Sequence, residues 1–211
     1  MNNLKVTRNK KTKILVVGDV HGDTGLVKKM AKKAEEEKVD LVILTGDLTL
    51  AEQSTKNLIG PFLKVKKQVL LLHGNHESIA TTDFLTELYG PSTKNLHGYS
   101  IQKNDIGIFG AGGADIGPDT INESEIFKIL KKGNDEVKNM KKRVMVTHMH
   151  AEGTDSEFSG WPGSSGIRKA IEKLQPDLFI HSHIHEAEGL EEKIGKTIII
   201  NVGRKGRIIE L

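Results

Sequence analysis

Residues 14–22, ILVVGDVHG, indicate the fold: four aliphatic residues are followed directly by glycine and aspartate, with a histidine two residues after the aspartate. Such a continuous run of β-branched and leucine residues is typical of a strand buried on both faces. Similar runs recur at 41–44, 69–72, 106–109, 144–146, 178–180 and 197–200. Helix-like stretches lie between several of them, at 24–38, 54–67, 78–88, 122–132 and 165–174. This alternation of strands and helices predicts an α/β layered domain.

Two segments allow more specific expectations. Pro61 lies inside the second helix-like stretch and predicts a helix that is kinked or begins late. Near the C-terminus, the runs TIII at 197–200 and RII at 207–209 resemble a hairpin. We therefore expect part of the sheet structure to be antiparallel.

Length and composition restrict the class of protein. The chain has 211 residues, of which 36% are hydrophobic, 28% charged and 4% aromatic, as in one soluble domain with an aliphatic core. Its apolar runs are too short for a membrane span or a signal peptide. The absence of cysteine excludes disulfides, thiolate zinc sites and cysteine nucleophiles. We predict a cytoplasmic enzyme with no membrane partner.

Basic residues are concentrated at the N-terminus. Residues 1–13 contain five lysine or arginine side chains and no acidic one, whereas residues 14–211 carry 26 basic and 28 acidic side chains. A body with this balance is not a nucleic-acid binder by composition. We therefore divide the chain into a basic arm at 1–13, expected to be a solvated tail, and a single domain at 14–211.

Side chains that can bind metal follow five of the predicted strands. The stretches concerned are GDVHG at 18–22, TGD at 45–47, HGNHE at 73–77, TH at 147–148 and HSHIH at 181–185. Ligands of open α/β sheets bind at the carboxyl ends of strands, so these side chains are expected to meet there. Residues two apart on an extended strand point to the same side, which pairs Asp19 with His21 and His183 with His185.

The donor set indicates more than one metal ion. Seven oxygen and nitrogen donors without sulfur are available: Asp19, His21, Asp47, Asn75, His148, His183 and His185. They are too many for one tetrahedral zinc ion and suit two adjacent divalent ions that share a carboxylate. Two ions about 3.5–4 Å apart can clamp the attacking and leaving oxygens of a phosphoryl displacement.

The five motifs, in this order, closely resemble the calcineurin-like metallophosphoesterase superfamily, whose pattern is D-x-H, G-D, G-N-H-[DE], a lone H and G-H-x-H. The resemblance spans residues 18–185. It implies a four-layer αββα sandwich of two mixed β-sheets flanked by helices, with a dinuclear metal site at the C-terminal ends of the strands. The stretches at 110–118, 163–168 and 201–203 look most like small prokaryotic Icc-related phosphoesterases.

The resemblance also implies a role for each matched residue. The first metal ion would be held by Asp19, His21 and His185, and the second by Asn75, His148 and His183. Asp47 would bridge the two ions, and His76 would protonate the leaving oxygen after attack by a metal-bridging hydroxide. We predict Mn²⁺ at both positions, with Fe, Zn, Ni and Co as alternatives.

The sequence departs from its relatives at three places. Ser182 stands where the family usually has glycine, and Met149-His150-Ala151 stands where a proline pair usually follows the lone histidine. Leu48 follows Asp47, without the V-D-R-G continuation of protein Ser/Thr phosphatases, and this difference weakens the hypothesis of a phosphoprotein substrate. Glu77 is expected to hydrogen-bond a ligand histidine or to cap the next helix.

We predict a metallophosphoesterase that hydrolyses phosphodiesters or small nucleotide-type phosphoesters, in preference to phosphomonoesters. The alternatives are a nuclease that uses the basic arm and a non-catalytic metal-binding scaffold; the oligomeric state is left open. Three residues are candidates for substrate contact, each with a simpler interpretation. His150 lines the pocket or faces solvent, Trp161 stacks on a base or anchors its own loop, and Arg168 meets the phosphate or lies on a surface helix.

Overall fold

The computed structural model describes residues 11–211, so residues 1–10 of the predicted basic arm lie outside it. The strands are β1 Lys13–Val17, β2 Leu41–Leu44, β3 Val69–Leu71, β4 Thr93–Asn95, β5 Ser100–Lys103, β6 Ile106–Ala111, β7 Lys142–Thr147, β8 Leu178–His181, β9 Glu191–Ile194, β10 Thr197–Asn201 and β11 Arg207–Glu210. The helices are α1 Thr24–Glu36, α2 Gly60–Lys64, α3 Ile79–Leu88, α4 Glu123–Val137 and α5 Ser165–Leu174. Within residues 11–211, no helix is both long and apolar enough to cross a bilayer.

The strands form two mixed sheets. The first has the order β11-β1-β2-β3-β4, in which only β11 runs antiparallel to its neighbour. The second has the order β5-β6-β7-β8-β10-β9, in which the edge strands β5 and β9 are antiparallel to their neighbours. The carboxyl ends of β1, β2 and β3 in one sheet, and of β7 and β8 in the other, can therefore meet at one end of the molecule.

Three hydrophobic clusters hold four layers together. In β1, Ile14 and Val16 pack between the two sheets, whereas Leu15 and Val17 pack against the side of α1, α2 and α3. A third cluster joins the second sheet to α4 and α5, with Phe109 and Phe179 fully buried in it. Alternate residues of a strand face opposite ways, so a strand between two apolar layers needs a continuous aliphatic run. The predicted αββα sandwich of two mixed sheets is confirmed.

Most helix predictions are confirmed. α5 occupies the predicted range, and α2 begins late, as predicted. Pro61 lies in the first turn of α2, where its missing N–H removes no intrahelical hydrogen bond. α4 runs beyond its predicted end to Val137, because Gly133 and Asn134 continue its buried face. Gly133 allows the helix to approach Phe109, and Asn134 accepts a hydrogen bond from Arg143 at 2.6 Å.

The predicted C-terminal hairpin is wrong, although the expectation of antiparallel pairing is right. β10 lies in the second sheet between β8 and β9, and β11 crosses to the first sheet, where Ile209 lies opposite Ile14. Each segment is apolar enough to pack in a different sheet, and the turn at 203–206 connects the two strands. Strands β4, β5 and β9 were not predicted, because their sequences TKN, SIQK and EEKI lack an aliphatic run.

Candidate metal centre

The structure brings the eight predicted site residues to one end of the sandwich. They follow β1, β2 and β3 of the first sheet and β7 and β8 of the second: Asp19, His21, Asp47, Asn75, His76, His148, His183 and His185. Three of their combinations place one donor atom per residue within 4.8 Å of one another: Asp19 with His21 and His185, His21 with Asp47 and His76, and Asp47 with His148 and His183. Asp47 belongs to two of these groups.

Asp47 lies between the groups, and each of its carboxylate oxygens faces a different set of atoms. Oδ1 accepts the backbone N–H groups of Asn75 at 2.8 Å and His76 at 3.0 Å, and lies 3.4 Å from His148 Nε2. Oδ2 lies 3.8 Å from His21 Nε2 and 3.9 Å from His76 Nε2. Burial works to raise the pKa of Asp47, but the neighbouring imidazoles, His148 first, and the N–H donor of His76 bring that pKa below its usual value. The side chain is therefore held as a carboxylate.

Asp19 is fully buried and only half satisfied. Its Oδ1 accepts the backbone N–H of His183 at 3.1 Å, whereas Oδ2 has no hydrogen-bond partner within residues 11–211. Burial raises the pKa of this carboxyl group. A buried carboxylate oxygen without a donor is the kind of atom that a cation satisfies, because burying an unpaired charge is costly.

Ring nitrogens face each other in two pairs. His21 Nε2 lies 3.1 Å from His185 Nε2, and His148 Nε2 lies 3.1 Å from His183 Nδ1. His148 Nδ1 must donate to the carbonyl of Thr45, 3.0 Å away, so its Nε2 carries a lone pair and faces Asn75 Oδ1 at 3.0 Å. Burial lowers the pKa of His21 to about 4 and that of His183 to about 3, which keeps both rings neutral. Neutral imidazoles and carboxylates are the forms that ligate metal, so the donor set fits divalent cations.

Four of these residues have a left-handed backbone. The φ angles are 52° at Asp19, 49° at His21, 52° at Asp47 and 71° at His183. Residues with a side chain rarely adopt this conformation, and it persists where surrounding contacts enforce it, often at functional sites. The turns aim side chains from the strand ends into one volume.

Two glycines are required by close approach of backbone to the ligands. A Cβ at Gly74 would collide with the carboxylate of Asp47, and one at Gly46 would lie 2.6 Å from His148 Nδ1. Gly46 also has a φ of +101°, which favours glycine. The glycines before Asp47 and Asn75 therefore serve packing at the site itself.

Glu77 takes neither of its expected roles. Its buried carboxylate accepts the backbone N–H of Gly74 at 2.9 Å and that of Thr49 at 3.0 Å, whereas Ser78 caps α3. Glu77 thus ties the loop that carries Asp47 to the loop that carries Asn75. Burial raises the pKa of its carboxyl group.

Ser182 adds a buried hydroxyl where the family usually has glycine. The hydroxyl accepts a hydrogen bond from Thr45 Oγ1 at 2.9 Å and lies 3.3 Å from His148 Nδ1. It therefore supports the same face of His148 as the Thr45 carbonyl, on the side away from the proposed metal ligands. Such partners fix the tautomer and orientation of a ligand imidazole.

The three candidate substrate residues lie in different surroundings. Trp161 is 59% exposed and lines the cavity at the site, whereas His150 is fully buried and does not face solvent. The Nε2 of His150 contacts the Trp161 carbonyl at 3.2 Å. Because His150 lies two residues after His148, this contact connects the Trp161 loop to the segment that follows β7. Arg168 is not among the lining residues; it pairs with Glu172 at 2.7 Å and contacts the Glu152 carbonyl, which matches its interpretation as a surface helix residue.

The cavity above the site has a volume of about 250 Å³. Four of its lining residues were not predicted from the sequence: Asp115, Ile116, Ile184 and Glu186. Glu186 directly follows His185, so its position next to a motif could have indicated it. Asp115 and Ile116 lie in the glycine-rich stretch after β6, and no local pattern there indicates a path toward the site.

Arg204 was also not predicted from the sequence, although it holds the loop after β1 that carries Asp19 and His21. Its Nη1 donates to the carbonyls of Asp19 at 2.9 Å and Val20 at 3.2 Å, and its Nη2 pairs with Asp23 at 2.8 Å. A guanidinium fork that fixes two carbonyls and a carboxylate can hold the left-handed turn at Asp19 in place.

We expect Arg204→Gln to weaken metal binding about 10- to 100-fold, the usual cost of losing a group that orients metal ligands. Titration of chelator-stripped protein with Mn²⁺ measures the affinity. Arg207→Gln is the matched control, because Arg207 pairs with Glu191 at 2.7 Å on the exposed surface. Equal affinities of the two variants would contradict a positioning role for Arg204.

Fold and site together define a class of protein: an α/β sandwich whose two sheets present aspartate, asparagine and histidine side chains at one shared end. The family profile described as calcineurin-like phosphoesterase matches residues 12–187. The chain therefore belongs to the calcineurin-like phosphoesterase family, as its five motifs predicted. Membership implies a metal-dependent hydrolase of phosphoester bonds.

Solved structures share this fold at low sequence identity. The TT1561 protein of Thermus thermophilus has a TM-score of 0.74 and 17% identity, over 94% of this chain and 98% of that one. A dimetal phosphatase from Danio rerio has a TM-score of 0.63 and 11% identity, over 92% and 88%. A structure described as a novel archaeal phosphodiesterase has a TM-score of 0.55 and 16% identity, over 95% and 100%. The search of curated proteins found no match.

Proposed function

We propose that this chain is a phosphoesterase with two divalent cations, which hydrolyses phosphodiesters or small nucleotide-type phosphoesters. The observation that carries this proposal is the position of Asp47, whose carboxylate lies within reach of two separate donor groups. A shared carboxylate between two clusters of imidazoles suits a pair of cations better than a single one.

The first cation would be held by Asp19, His21 and His185, and the second by Asn75, His148 and His183, with Asp47 between them. When bound, a pair of divalent cations activates water and neutralises charge on the phosphoryl oxygens. We favour Mn²⁺, with Fe, Zn, Ni and Co as alternatives, since oxygen and nitrogen donors suit all of them.

His76 is assigned as the proton donor to the leaving oxygen. Its Nδ1 accepts the backbone N–H of Ala51 at 3.3 Å, so the proton of the neutral ring lies on Nε2. That nitrogen lies 3.9 Å from Asp47 Oδ2, and the ring is partly exposed in the cavity. Nε2 can therefore present its N–H to an oxygen bound above Asp47, and complete proton transfer to that oxygen requires the imidazolium form of the ring, since a neutral imidazole is a very weak acid.

Metal removal provides the direct test. Chelator-stripped protein is expected to lose turnover of bis(p-nitrophenyl) phosphate and p-nitrophenyl phosphate, and added Mn²⁺ is expected to restore it. Metal should also raise the melting temperature, because the ions bind the folded chain. Bound metal at two ions per chain without turnover of either substrate would contradict the proposed function and favour the scaffold.

A further inference from the structure

The cavity at the site is lined by carboxylates and apolar groups beyond the proposed ligands and His76. These lining residues are Asp115, Ile116, Trp161, Ile184 and Glu186. No lysine or arginine is among the described residues that line the cavity. Asp115 and Glu186 are both exposed, and within residues 11–211 neither forms an ion pair with a lysine or arginine. Asp115 also acts on the buried His150, and both side chains add negative charge at the cavity.

We propose that Asp115 and Glu186 are specificity-determining residues that select phosphoesters with a single negative charge and reject those with more. This inference rests on the proposed function. The favoured substrates are phosphodiesters whose second substituent is uncharged or cationic. Phosphomonoester dianions and substrates with further phosphate groups are disfavoured.

The charge balance of the site gives the physical reason. Two divalent cations bring four positive charges, and the buried carboxylates of Asp19 and Asp47 offset two of them. Asp115 and Glu186 offset the remaining two, so the site has no excess positive charge with which to attract a second negative charge on the substrate. A monoester carries about one further negative charge at neutral pH, because the second pKa of a phosphate group is about 6. No lysine or arginine lines the cavity to meet that charge, and the two carboxylates of the cavity wall repel it.

The remaining wall residues suit an uncharged substituent. Trp161 is 59% exposed and Ile116 is 47% exposed, and both lie at the cavity. The contact between His150 and the Trp161 carbonyl gives the tryptophan loop a buried support. An exposed indole beside acidic groups offers a surface for apolar, aromatic or ammonium groups, which contact the ring face favourably.

Three substrates that release the same p-nitrophenolate group test the proposal. At pH 8 they differ in charge: p-nitrophenyl phosphate is a dianion, bis(p-nitrophenyl) phosphate a monoanion and p-nitrophenyl phosphorylcholine a zwitterion. The wild-type enzyme with Mn²⁺ is expected to have a higher kcat/KM for the monoanion and the zwitterion than for the dianion. In the double variant Asp115→Asn/Glu186→Gln, the ratio of kcat/KM for the dianion to that for the zwitterion is expected to rise about tenfold.

The matched control neutralises two carboxylates on the outer faces of helices, in Glu36→Gln/Asp135→Asn, and is expected to keep the wild-type ratio. The same ratio in wild type and double variant would overturn the inference while diester turnover persists. Absence of turnover of all three substrates by the wild-type enzyme would instead contradict the proposed function.

Discussion

Replacing Asp47 with asparagine is expected to prevent the binding of two metal ions and to lower turnover about 10³-fold or more. The carboxylate uses Oδ1 for the N–H groups of Asn75 and His76, while Oδ2 faces His21. An amide at this position must turn its NH₂ group either against those N–H donors or toward the cations. Either orientation removes an acceptor, and loss of metal catalysis costs several kcal/mol of transition-state stabilisation.

Elemental analysis of metal per chain and steady-state kinetics check this expectation. Asp135→Asn is a suitable control, because Asp135 is an exposed acid on α4 that pairs with Lys131. Circular dichroism would check that the Asp47 variant remains folded. Two bound ions and near wild-type turnover in the Asp47 variant would exclude the shared-ligand role.

Replacing His76 with alanine is expected to lower turnover about 10²- to 10⁴-fold, the usual contribution of a positioned general acid, while two metal ions remain bound. The loss should be larger for a diester with an alkyl leaving group than for one with p-nitrophenolate, since a weakly basic leaving oxygen needs less protonation. This dependence on the leaving group distinguishes proton donation from a structural effect.

Metal content separates the two roles that the geometry of His76 allows. Its ring lies close to His21 and Asp47, and the centroids of the two imidazole rings are 4.7 Å apart. If the alanine variant loses one ion per chain, His76 is a ligand and not the acid. If it keeps both ions but loses no activity, neither role applies.

The layers of the fold and the place of the site could be predicted because both depend on short, local patterns. Aliphatic runs such as 14–17 mark central strands, and polar motifs directly after them must lie at strand ends. Sheet membership was less accessible, as β11 shows: its pairing with β1 joins opposite ends of the described chain, and no local pattern specifies it. Polar edge strands such as β5 lack the signal altogether.

The surroundings of the site could be predicted less well than its proposed ligands. Arg204 reaches Asp19 through a turn between the two sheets, and Asp115 reaches the cavity through the loop that joins β6 to α4. Loop paths depend on contacts between distant parts of the chain, so spacing in the sequence does not reveal them. The same reason explains why Glu77 connects two loops where a helix cap or a histidine contact was expected.

The origin of the donor groups in two sheets has a mechanical consequence. Each proposed cation would draw ligands from both halves of the sandwich: Asp19 and His21 join His185 across the seam, and Asn75 joins His148 and His183. Bound ions would then cross-link two sheets that are otherwise joined by the aliphatic core between them and by hydrogen bonds such as that from His183 N–H to Asp19. Separation of the two sheets would release both ions together. Loss of metal and opening of the core would then be a single cooperative event.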